Sequence, residues 1–216
     1  MVRNQGCNVQ RPNQKPEDQS ASAINNRNLL LGNPSHAVSS IASIDNYLMV
    51  KPQYVLSYHK IHTANWVSWQ LNKSWSETAD RQDNFRPDNA LPAAMYKVRP
   101  NDYTGSGYDR GHIAPSADRT RNEADNSATF LMSNMMPQVP GLNRGVWGDL
   151  SEYCQELVQR RARNFTSPAG PVGRKSSIDS SRKSQCWQRL GKLSRCWIDR
   201  GWGCRELQQT LRRRSL

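Results

Sequence analysis

The sequence has few hydrophobic residues, no long apolar run and no apolar segment near its start. Hydrophobic residues make up 36% of its 216 residues, and such a polar composition predicts that part of the chain does not fold. No stretch approaches the roughly 18 apolar residues of a membrane span, so we expect no membrane partner. Residues 1–20 carry charged, Asn and Gln side chains where a secretory signal needs an apolar segment. Two alternatives stay open: the protein remains inside the cell, or the recorded start is not the natural one.

Cysteines are present but not in pairs. Five of them occur, and none shows the C-x-x-C spacing of a zinc site, which disfavours structural zinc. Because their number is odd and three of them lie beyond residue 158, they do not fix the redox compartment. The five are Cys7, Cys154, Cys186, Cys196 and Cys204.

Acidic residues are scarce at one end of the chain only. Residues 1–158 hold 15 Lys+Arg and 15 Asp+Glu, whereas residues 159–216 hold 15 Lys+Arg and 3 Asp+Glu. A basic surface neutralises phosphates and releases their counterions. The net charge of +12 therefore points to nucleic acid, but all of the excess lies in the C-terminal stretch.

Composition and periodicity divide the chain into three parts. Residues 1–44 are rich in Asn, Gln, Ser and Pro without a lasting period, and we predict that they form a flexible leader. Residues 45–158 carry strand and helix patterns and are predicted to form the folded core. Residues 159–216 have no clear period and are predicted to form a basic, disordered tail.

Three patterns within the core predict secondary structure. Residues 54–58 and 66–71 alternate with period two, which predicts an antiparallel strand pair with an aromatic-rich face. The short apolar run 129–132 predicts a buried strand. Apolar residues at steps of three and four after Asn143 predict a helix with one apolar stripe. The stripe consists of Trp147, Leu150, Cys154, Leu157 and Val158.

A glycine-rich segment, residues 105–120, holds the motif most directly connected with chemistry. It reads GSGYDRGHIAPSADRT and is predicted to be a turn that approaches a ligand closely. The segment places His112 near Arg110. A histidine can take a proton from water at neutral pH, an arginine fork can hold a phosphate, and a divalent cation can stabilise a leaving oxygen. These are the groups that phosphodiester hydrolysis needs.

Four segments occur in order and with compact spacing: NFRPD, GSGYDRGHIAPSADR, FLMSNMMPQ and NRGVWGDL. Together they make residues 29–158 resemble the DNA/RNA non-specific endonucleases of the one-metal ββα class. The resemblance implies an α+β fold, in which a ββα-metal nuclease core lies on a mainly antiparallel sheet. Because the chain departs from the family pattern after Val158, we expect the C-terminal part of the fold to be missing. The resemblance also implies a secreted or periplasmic location, although no signal peptide is visible.

The resemblance further implies roles for individual residues. His112 is the general base that activates water, and Asn143 is the sole protein ligand of a Mg²⁺ ion, for which Mn²⁺ can substitute. Arg110 lies beside the base and contacts the phosphate, and Arg81 matches a family arginine at the substrate. The positioning residues are Asp109 and Asn134.

The same residue types also have ordinary structural roles. An Asn before a helix is most often an N-cap, and an arginine in a polar loop is often a surface charge. A lone histidine in a turn is usually hydrogen-bonded at the surface, and we predict this for His36, His59 and His62. For His112 and Asn143 the surrounding motifs favour the functional role.

Two positions depart from the family pattern. Where the family carries a glutamate that holds metal-bound waters and, one turn later, an arginine at the phosphate, this chain has Ser151 and Gln155. Residues four apart share a helix face, whereas Glu152 and Glu156 are predicted to point about 100° away from it. Losing such a group costs roughly 10 to 100-fold in metal affinity or activity. We therefore expect a weakened enzyme.

The C-terminal stretch departs further. The family continues with a strand resembling Phe-Tyr-Ile-Ala-Gly, whereas residues 164–170 read NFTSPAG. One coding of Asn-Phe-Thr-Ser-Pro yields Phe-Tyr-Ile-Ala in an adjacent frame. Our hypothesis is that the chain from about Gln159 is an out-of-frame reading of the family's C-terminal half. The alternative is a genuine basic tail that binds nucleic acid.

These observations lead to two function hypotheses. The first is a metal-dependent endonuclease that hydrolyses DNA and RNA without sequence or sugar specificity, through contacts with the backbone. The second is an inactive remnant, or a nucleic-acid-binding protein without catalysis. The sequence leaves the preference for DNA or RNA and the oligomeric state open.

Overall fold

The computed structural model of the protein describes residues 26–161, 164–172, 176–177, 185–186 and 189–191. Its helices are α1 (Glu123–Thr129) and α2 (Trp147–Arg161). Short 3-10 turns cover Arg27–Leu29, Ile41–Ser43, Lys73–Trp75, Pro100–Tyr103, Ser116–Asp118 and Met132–Asn134. The strands are β1 (Tyr47–Val50), β2 (Val55–Tyr58), β3 (Ala64–Leu71), β4 (Asp109–His112), β5 (Met135–Gln138), β6 (Phe165–Val172), β7 (Ser176–Ser177), β8 (Gln185–Cys186) and β9 (Arg189–Gly191).

The main layer is a five-stranded sheet with the order β1-β2-β3-β6-β9. All of its pairings are antiparallel, which confirms the predicted α+β class with a mainly antiparallel sheet. The β2–β3 pair predicted from period two is also confirmed. Tyr54 and Leu56 join Trp69 in the main hydrophobic cluster, while Val55 and Trp66 face a smaller cluster on the other side. Both faces are buried because layers of chain cover the sheet on each side.

A second antiparallel pair, β4–β5, leads into α2 and completes a ββα unit. Between β5 and α2 the chain passes through a π-helical turn, Leu142–Val146, in which Gly145 has non-helical dihedral angles (φ −102°, ψ −112°). The indole nitrogen Nε1 of Trp147 donates a hydrogen bond to the carbonyl oxygen of His112 at 3.0 Å. This bond fixes the start of α2 against the end of β4.

The predicted apolar stripe on α2 is confirmed. Leu150, Cys154 and Val158 are buried and form a cluster with Leu71 of β3 and Phe165 of β6. The helix therefore packs against the main sheet through the stripe that its sequence period predicts. In the described ranges, no helix has both the length and the apolarity to cross a bilayer.

The DRGH segment is a strand and not the predicted turn. The turn precedes it, at Gly105 and Gly107, whose φ angles of 70° and 77° lie in the region that favours glycine. Within β4, a Cβ atom on Gly111 would overlap the side chain of Gln138. A glycine at this position therefore allows β4 and β5 to lie close together.

The predicted strand at residues 129–132 is wrong. These residues are the end of α1 and the start of a 3-10 turn. The helix begins because the side chain of Asn122 accepts a hydrogen bond from the backbone nitrogen of Asp125 at 2.8 Å. The run is apolar because it is buried, and a buried run of four residues carries no period that separates strand from helix.

Packed structure extends past both predicted boundaries of the core. Asn28, assigned to the flexible leader, is buried, and its side-chain oxygen accepts a hydrogen bond from the backbone nitrogen of Gln70 at 2.9 Å. Phe165–Val172, assigned to the disordered tail, forms β6 beside β3. The structure corrects the predictions for these two segments, because Asn28 hydrogen-bonds to β3 and Phe165 and Ala169 are buried in the core. Residues 1–25 and most of the chain after 172 lie outside the described residues.

Candidate active site

Two adjoining hollows lie beside the ββα unit and share the side chains of Arg81, Arg110 and Asn143. The first has a volume of about 410 Å³ and is also lined by Phe85, Tyr108, Asp109 and Arg144, among others. The second has a volume of about 340 Å³ and is also lined by His112, Trp147, Ser151, Glu152 and Gln155, among others. The structure thus brings together the base, arginine and metal-ligand residues predicted from distant motifs.

His112 ends β4, and its ring lies against two aromatic rings. The ring centroids of Phe85 and Phe130 are 5.7 Å and 4.7 Å from that of His112. Its Nε2 atom is buried and has no hydrogen-bond partner within the described part of the chain. Burial, and secondly the positive charge of Arg81, lower the pKa of His112 to about 3. The imidazole is therefore neutral at pH 7 and able to accept a proton.

Asn143 lies in the π-helical turn before α2 and is tied to Asp109 of β4. Its Nδ2 atom donates a hydrogen bond to Asp109 Oδ2 at 2.9 Å. This bond requires the amide nitrogen, rather than the amide oxygen, to face Asp109. The amide oxygen is left for another partner, and oxygen is the ligand type that Mg²⁺ prefers. The chemistry of the turn therefore fits a hard divalent cation.

Arg144 is the residue at this site that the sequence analysis missed. Its Nε and Nη2 atoms donate hydrogen bonds to Asp109 Oδ2 and Oδ1 at 2.9 Å and 2.8 Å. These bonds, and then the bond from Asn143, hold the pKa of the Asp109 carboxyl below its ordinary value. The only signal in the sequence was its place directly after Asn143, in the segment NRGVWGDL.

Both predicted phosphate contacts face the hollows, but they are held differently. Arg81 donates from Nη1 to Ser116 Oγ and from Nε to Asp83 Oδ1, each at 2.7 Å. Arg110 is exposed, and its guanidinium carbon lies 4.2 Å from the centroid of the Phe85 ring. Stacking on an aromatic face leaves the N–H groups of an arginine free to point at an anion. The site thus has two positively charged guanidinium groups, one held by hydrogen bonds and the other by an aromatic ring.

Asn134 supports the chain just after His112. It is fully buried, and its Oδ1 atom accepts a hydrogen bond from the backbone nitrogen of Ala114 at 2.9 Å. Its Nδ2 atom donates to the carbonyl oxygens of Ala114 and Thr129, both at 2.9 Å. These contacts connect the end of β4 to the end of α1. They fit the predicted role of a positioning residue that does not touch substrate.

The two departures from the family pattern lie on the predicted face of α2. Ser151 and Gln155 both line the second hollow. Ser151 Oγ donates to the carbonyl oxygen of Trp147 at 2.9 Å, and Gln155 Nε2 donates to the buried carboxylate of Asp118 at 2.8 Å. Neither side chain supplies a charge to the hollow.

Glu152 also lines the second hollow, although it lies about 100° around α2 from Ser151. The residue is exposed, and its side chain is long enough to reach the hollow from a neighbouring helix position. The three histidines predicted to lie at the surface are outside the lining of both hollows, but His62 is buried, so the surface prediction is wrong for that residue. The three are His36, His59 and His62.

Comparison with known proteins agrees with this arrangement. The family model described as DNA/RNA non-specific endonuclease matches residues 31–195. A nuclease from Nostoc sp. is 61% identical over 146 residues, which cover 67% of this chain and 53% of that protein. Human mitochondrial endonuclease G is 35% identical over 128 residues, which cover 58% of this chain and 42% of that protein.

A likeness in three dimensions supports the fold. The solved structure of the EndoG/EndoGI complex matches with a TM-score of 0.57 and 23% identity, covering 84% of this chain and 69% of the matched chain. The chain spans about half the length of the curated relatives that it matches. The family match nevertheless covers most of this sequence and includes every residue of the two hollows named above. The chain belongs to the DNA/RNA non-specific endonuclease family.

Proposed function

We propose that this protein is a metal-dependent endonuclease that hydrolyses phosphodiester bonds in DNA and RNA without sequence or sugar specificity. The observation that carries the proposal is the convergence of His112, Asn143 and two arginines on adjoining hollows. A base, a cation ligand and two arginines all act on the phosphate, which DNA and RNA share. Such a site has no need to distinguish the sugar or the base.

His112 acts as the general base. Its neutral ring can take a proton from water at a ring nitrogen while the water attacks phosphorus. A pKa of about 3 makes the free protein a weak base. Bound phosphate brings negative charge that offsets Arg81, the smaller of the two causes, and so raises the pKa of His112 in part.

Arg81 and Arg110 hold the phosphate and stabilise the charge that develops on it. Arg81 is anchored by Ser116 and Asp83. Arg110 is braced on the Phe85 ring. Because both guanidinium groups are supported before substrate arrives, little ordering is needed on binding.

Asn143 would hold Mg²⁺ through its amide oxygen, with Mn²⁺ as a substitute. When bound there, the cation supplies Lewis-acid stabilisation to a phosphate oxygen and to the leaving oxygen. A single protein ligand suits Mg²⁺, which retains most of its waters. Asp109 presents the amide in the orientation that this role needs.

The cellular location is part of the same proposal. The family resemblance supports a secreted or periplasmic protein. Detection of the protein in the culture medium or the periplasmic fraction, against a cytoplasmic marker, tests this. Recovery only with the cytoplasmic marker would contradict it.

Cleavage of plasmid DNA and of RNA by the purified full chain tests the proposal. We expect cleavage with Mg²⁺ or Mn²⁺, none with a chelator, and a loss of about 10² to 10⁴-fold in rate for His112→Ala. Asn143→Ala should lose metal-dependent cleavage as well. His36→Ala is the matched control, since His36 lines neither hollow.

The competing candidate is a protein that binds nucleic acid without cutting it. The uncharged residues at Ser151 and Gln155 favour this candidate. Folded protein that binds nucleic acid in a salt-sensitive manner, yet never cleaves it with either metal, would overturn the proposed function.

A further inference from the structure

We propose that Arg144 is a positioning residue that acts through Asp109 to orient the amide of Asn143. The inference rests on the proposed function, in which the oxygen of that amide holds the cation. Asp109 Oδ2 accepts hydrogen bonds from both Asn143 Nδ2 and Arg144 Nε, each at 2.9 Å. Asp109 Oδ1 accepts from Arg144 Nη2 at 2.8 Å. The guanidinium fork thus holds both oxygens of the carboxylate that orients the amide.

An amide side chain has two orientations, related by a flip that exchanges its oxygen and nitrogen. Only one of them lets Asn143 donate to Asp109. In the other, the amide oxygen faces a carboxylate oxygen, and two acceptors repel each other. The preference for the first orientation is strong only if the carboxylate itself is held still. A carboxylate that rotates would accept a hydrogen bond from several directions.

The backbone nitrogen of Asn143 donates to the carbonyl oxygen of Val139 at 3.0 Å, but this bond leaves the direction of the side-chain amide to Asp109. Asn143 lies in the π-helical turn, where Gly145 departs from helical geometry. Asp109 is the first residue of β4 and follows the glycine turn at Gly105 and Gly107. The Asp109–Arg144 pair connects these two irregular segments. It therefore sets the relative placement of strand and turn at the cation ligand.

The exposure of Arg144 argues for orientation over stability. Its side chain is 72% exposed, and exposed ion pairs contribute little to folding because water screens them. A bidentate fork nevertheless restricts direction as well as distance. An arginine in this position can order a neighbouring carboxylate without stabilising the fold.

Binding of Mn²⁺ to the full chain without nucleic acid, followed by electron paramagnetic resonance, tests the proposal. We expect Arg144→Gln to raise the dissociation constant roughly 10-fold, in the range found for groups that orient metal ligands. The dissociation constant of Arg144→Lys should lie between those of the wild type and Arg144→Gln. The ammonium of lysine keeps the charge but lacks the planar fork that bonds both carboxylate oxygens. The matched control is Arg160→Gln, which breaks an exposed ion pair to Glu156 outside both hollows.

Melting temperature and cleavage kinetics separate positioning from folding. All variants should melt like the wild type, and cleavage by Arg144→Gln should recover at saturating Mg²⁺, because Arg144 acts through Asp109. Asn143→Ala serves as the reference for a lost ligand. If the wild type binds Mn²⁺ and cleaves, and Arg144→Gln binds Mn²⁺ equally or more tightly, the inference is wrong and the proposed function stands. If the wild type binds no Mn²⁺, both are overturned.

Discussion

His112 lies where its charged form is unfavourable. Burial against the aromatic rings and the nearby charge of Arg81 lower its pKa to about 3. The ordinary pKa of a histidine lies near pH 6.5, so sequence alone predicted a base already matched to neutral pH. The structure changes that expectation, because burial of the ring beside Phe85 and Phe130 disfavours its charged form.

A titration of His112 by NMR, in the absence of nucleic acid, checks this pKa. We expect its ring protons, assigned by their loss in His112→Asn, not to titrate between pH 5 and 8. Arg81→Gln should raise the pKa, since it removes a nearby positive charge. A His112 midpoint near 6.5 would contradict the prediction.

The lowered pKa also has a consequence for stability. The pKa of His112 is below its unfolded value of 6.5, so the unfolded chain takes up protons first as pH falls. The stabilising contribution is therefore complete above pH 6.5 and is lost as pH falls toward 3. His112→Asn should weaken the pH dependence of the free energy of unfolding across that window.

At the scale of elements, α2 carries the two departures from the family on the face that borders the second hollow. Gln155 already donates to Asp118 Oδ1 at 2.8 Å, and Trp69 Nε1 donates to the other carboxylate oxygen at 2.8 Å. An arginine at position 155 would meet a carboxylate that is already held in place. The surroundings of position 155 therefore suit an arginine.

Restoring the two residues tests whether their loss weakens the enzyme. We expect Ser151→Glu with Gln155→Arg to raise the cleavage rate by roughly 10 to 100-fold. Gln155→Lys should give less than Gln155→Arg, because an ammonium lacks the planar fork of a guanidinium, whose spaced N–H groups reach Asp118 and a phosphate together. Glu152→Gln shows whether Glu152 partly replaces the missing glutamate. An unchanged rate on restoration would contradict the hypothesis of a weakened enzyme.

Elements with a sustained period were predictable from sequence, and those made by distant partners were not. The β2–β3 pair and α2 repeat their period over enough residues to show which face is buried. The DRGH strand has four residues, one of them glycine, and becomes a strand through pairing with β5, which lies more than twenty residues further along the chain. Local sequence cannot show such a partner.

The same distinction applies to the site. His112, Asn143, Arg81 and Arg110 were found because motifs mark them, and the structure places them around the hollows. Arg144 was missed because its function depends on a fork to Asp109 across an irregular turn. Neither residue type nor spacing predicts where that turn directs the side chain.

At the scale of the whole molecule, composition and structure disagree about the chain beyond residue 158. Pro168 and Pro171 cannot donate to a ladder, which disfavours a strand in the middle of a sheet. The structure nevertheless places Phe165–Val172 between β3 and β9. The buried side chains of Phe165 and Ala169 help to keep this strand in the sheet, where prolines leave gaps in the backbone hydrogen bonds. The family match to residue 195 also runs past the predicted boundary.

The out-of-frame hypothesis makes its own prediction at this scale. β6 occupies residues 165–172, where the family pattern expects a strand resembling Phe-Tyr-Ile-Ala-Gly. The gene sequence should therefore encode such a strand in an adjacent frame near Gln159. An adjacent frame without Val-rich and Ile-rich segments would rule the hypothesis out.

Substitution of Phe165 decides whether the chain beyond residue 158 completes the fold. Phe165 is 1% exposed and packs with Leu71 of β3 and Leu150 of α2. Phe165→Ala leaves a cavity between sheet and helix and should lower the free energy of unfolding by about 3 to 5 kcal/mol in urea denaturation. Val146→Ala, at a site 51% exposed, should change it by less than about 0.5 kcal/mol. An unfolding curve that Phe165→Ala leaves unchanged would contradict this packing, because only a packed phenylalanine has contacts to lose.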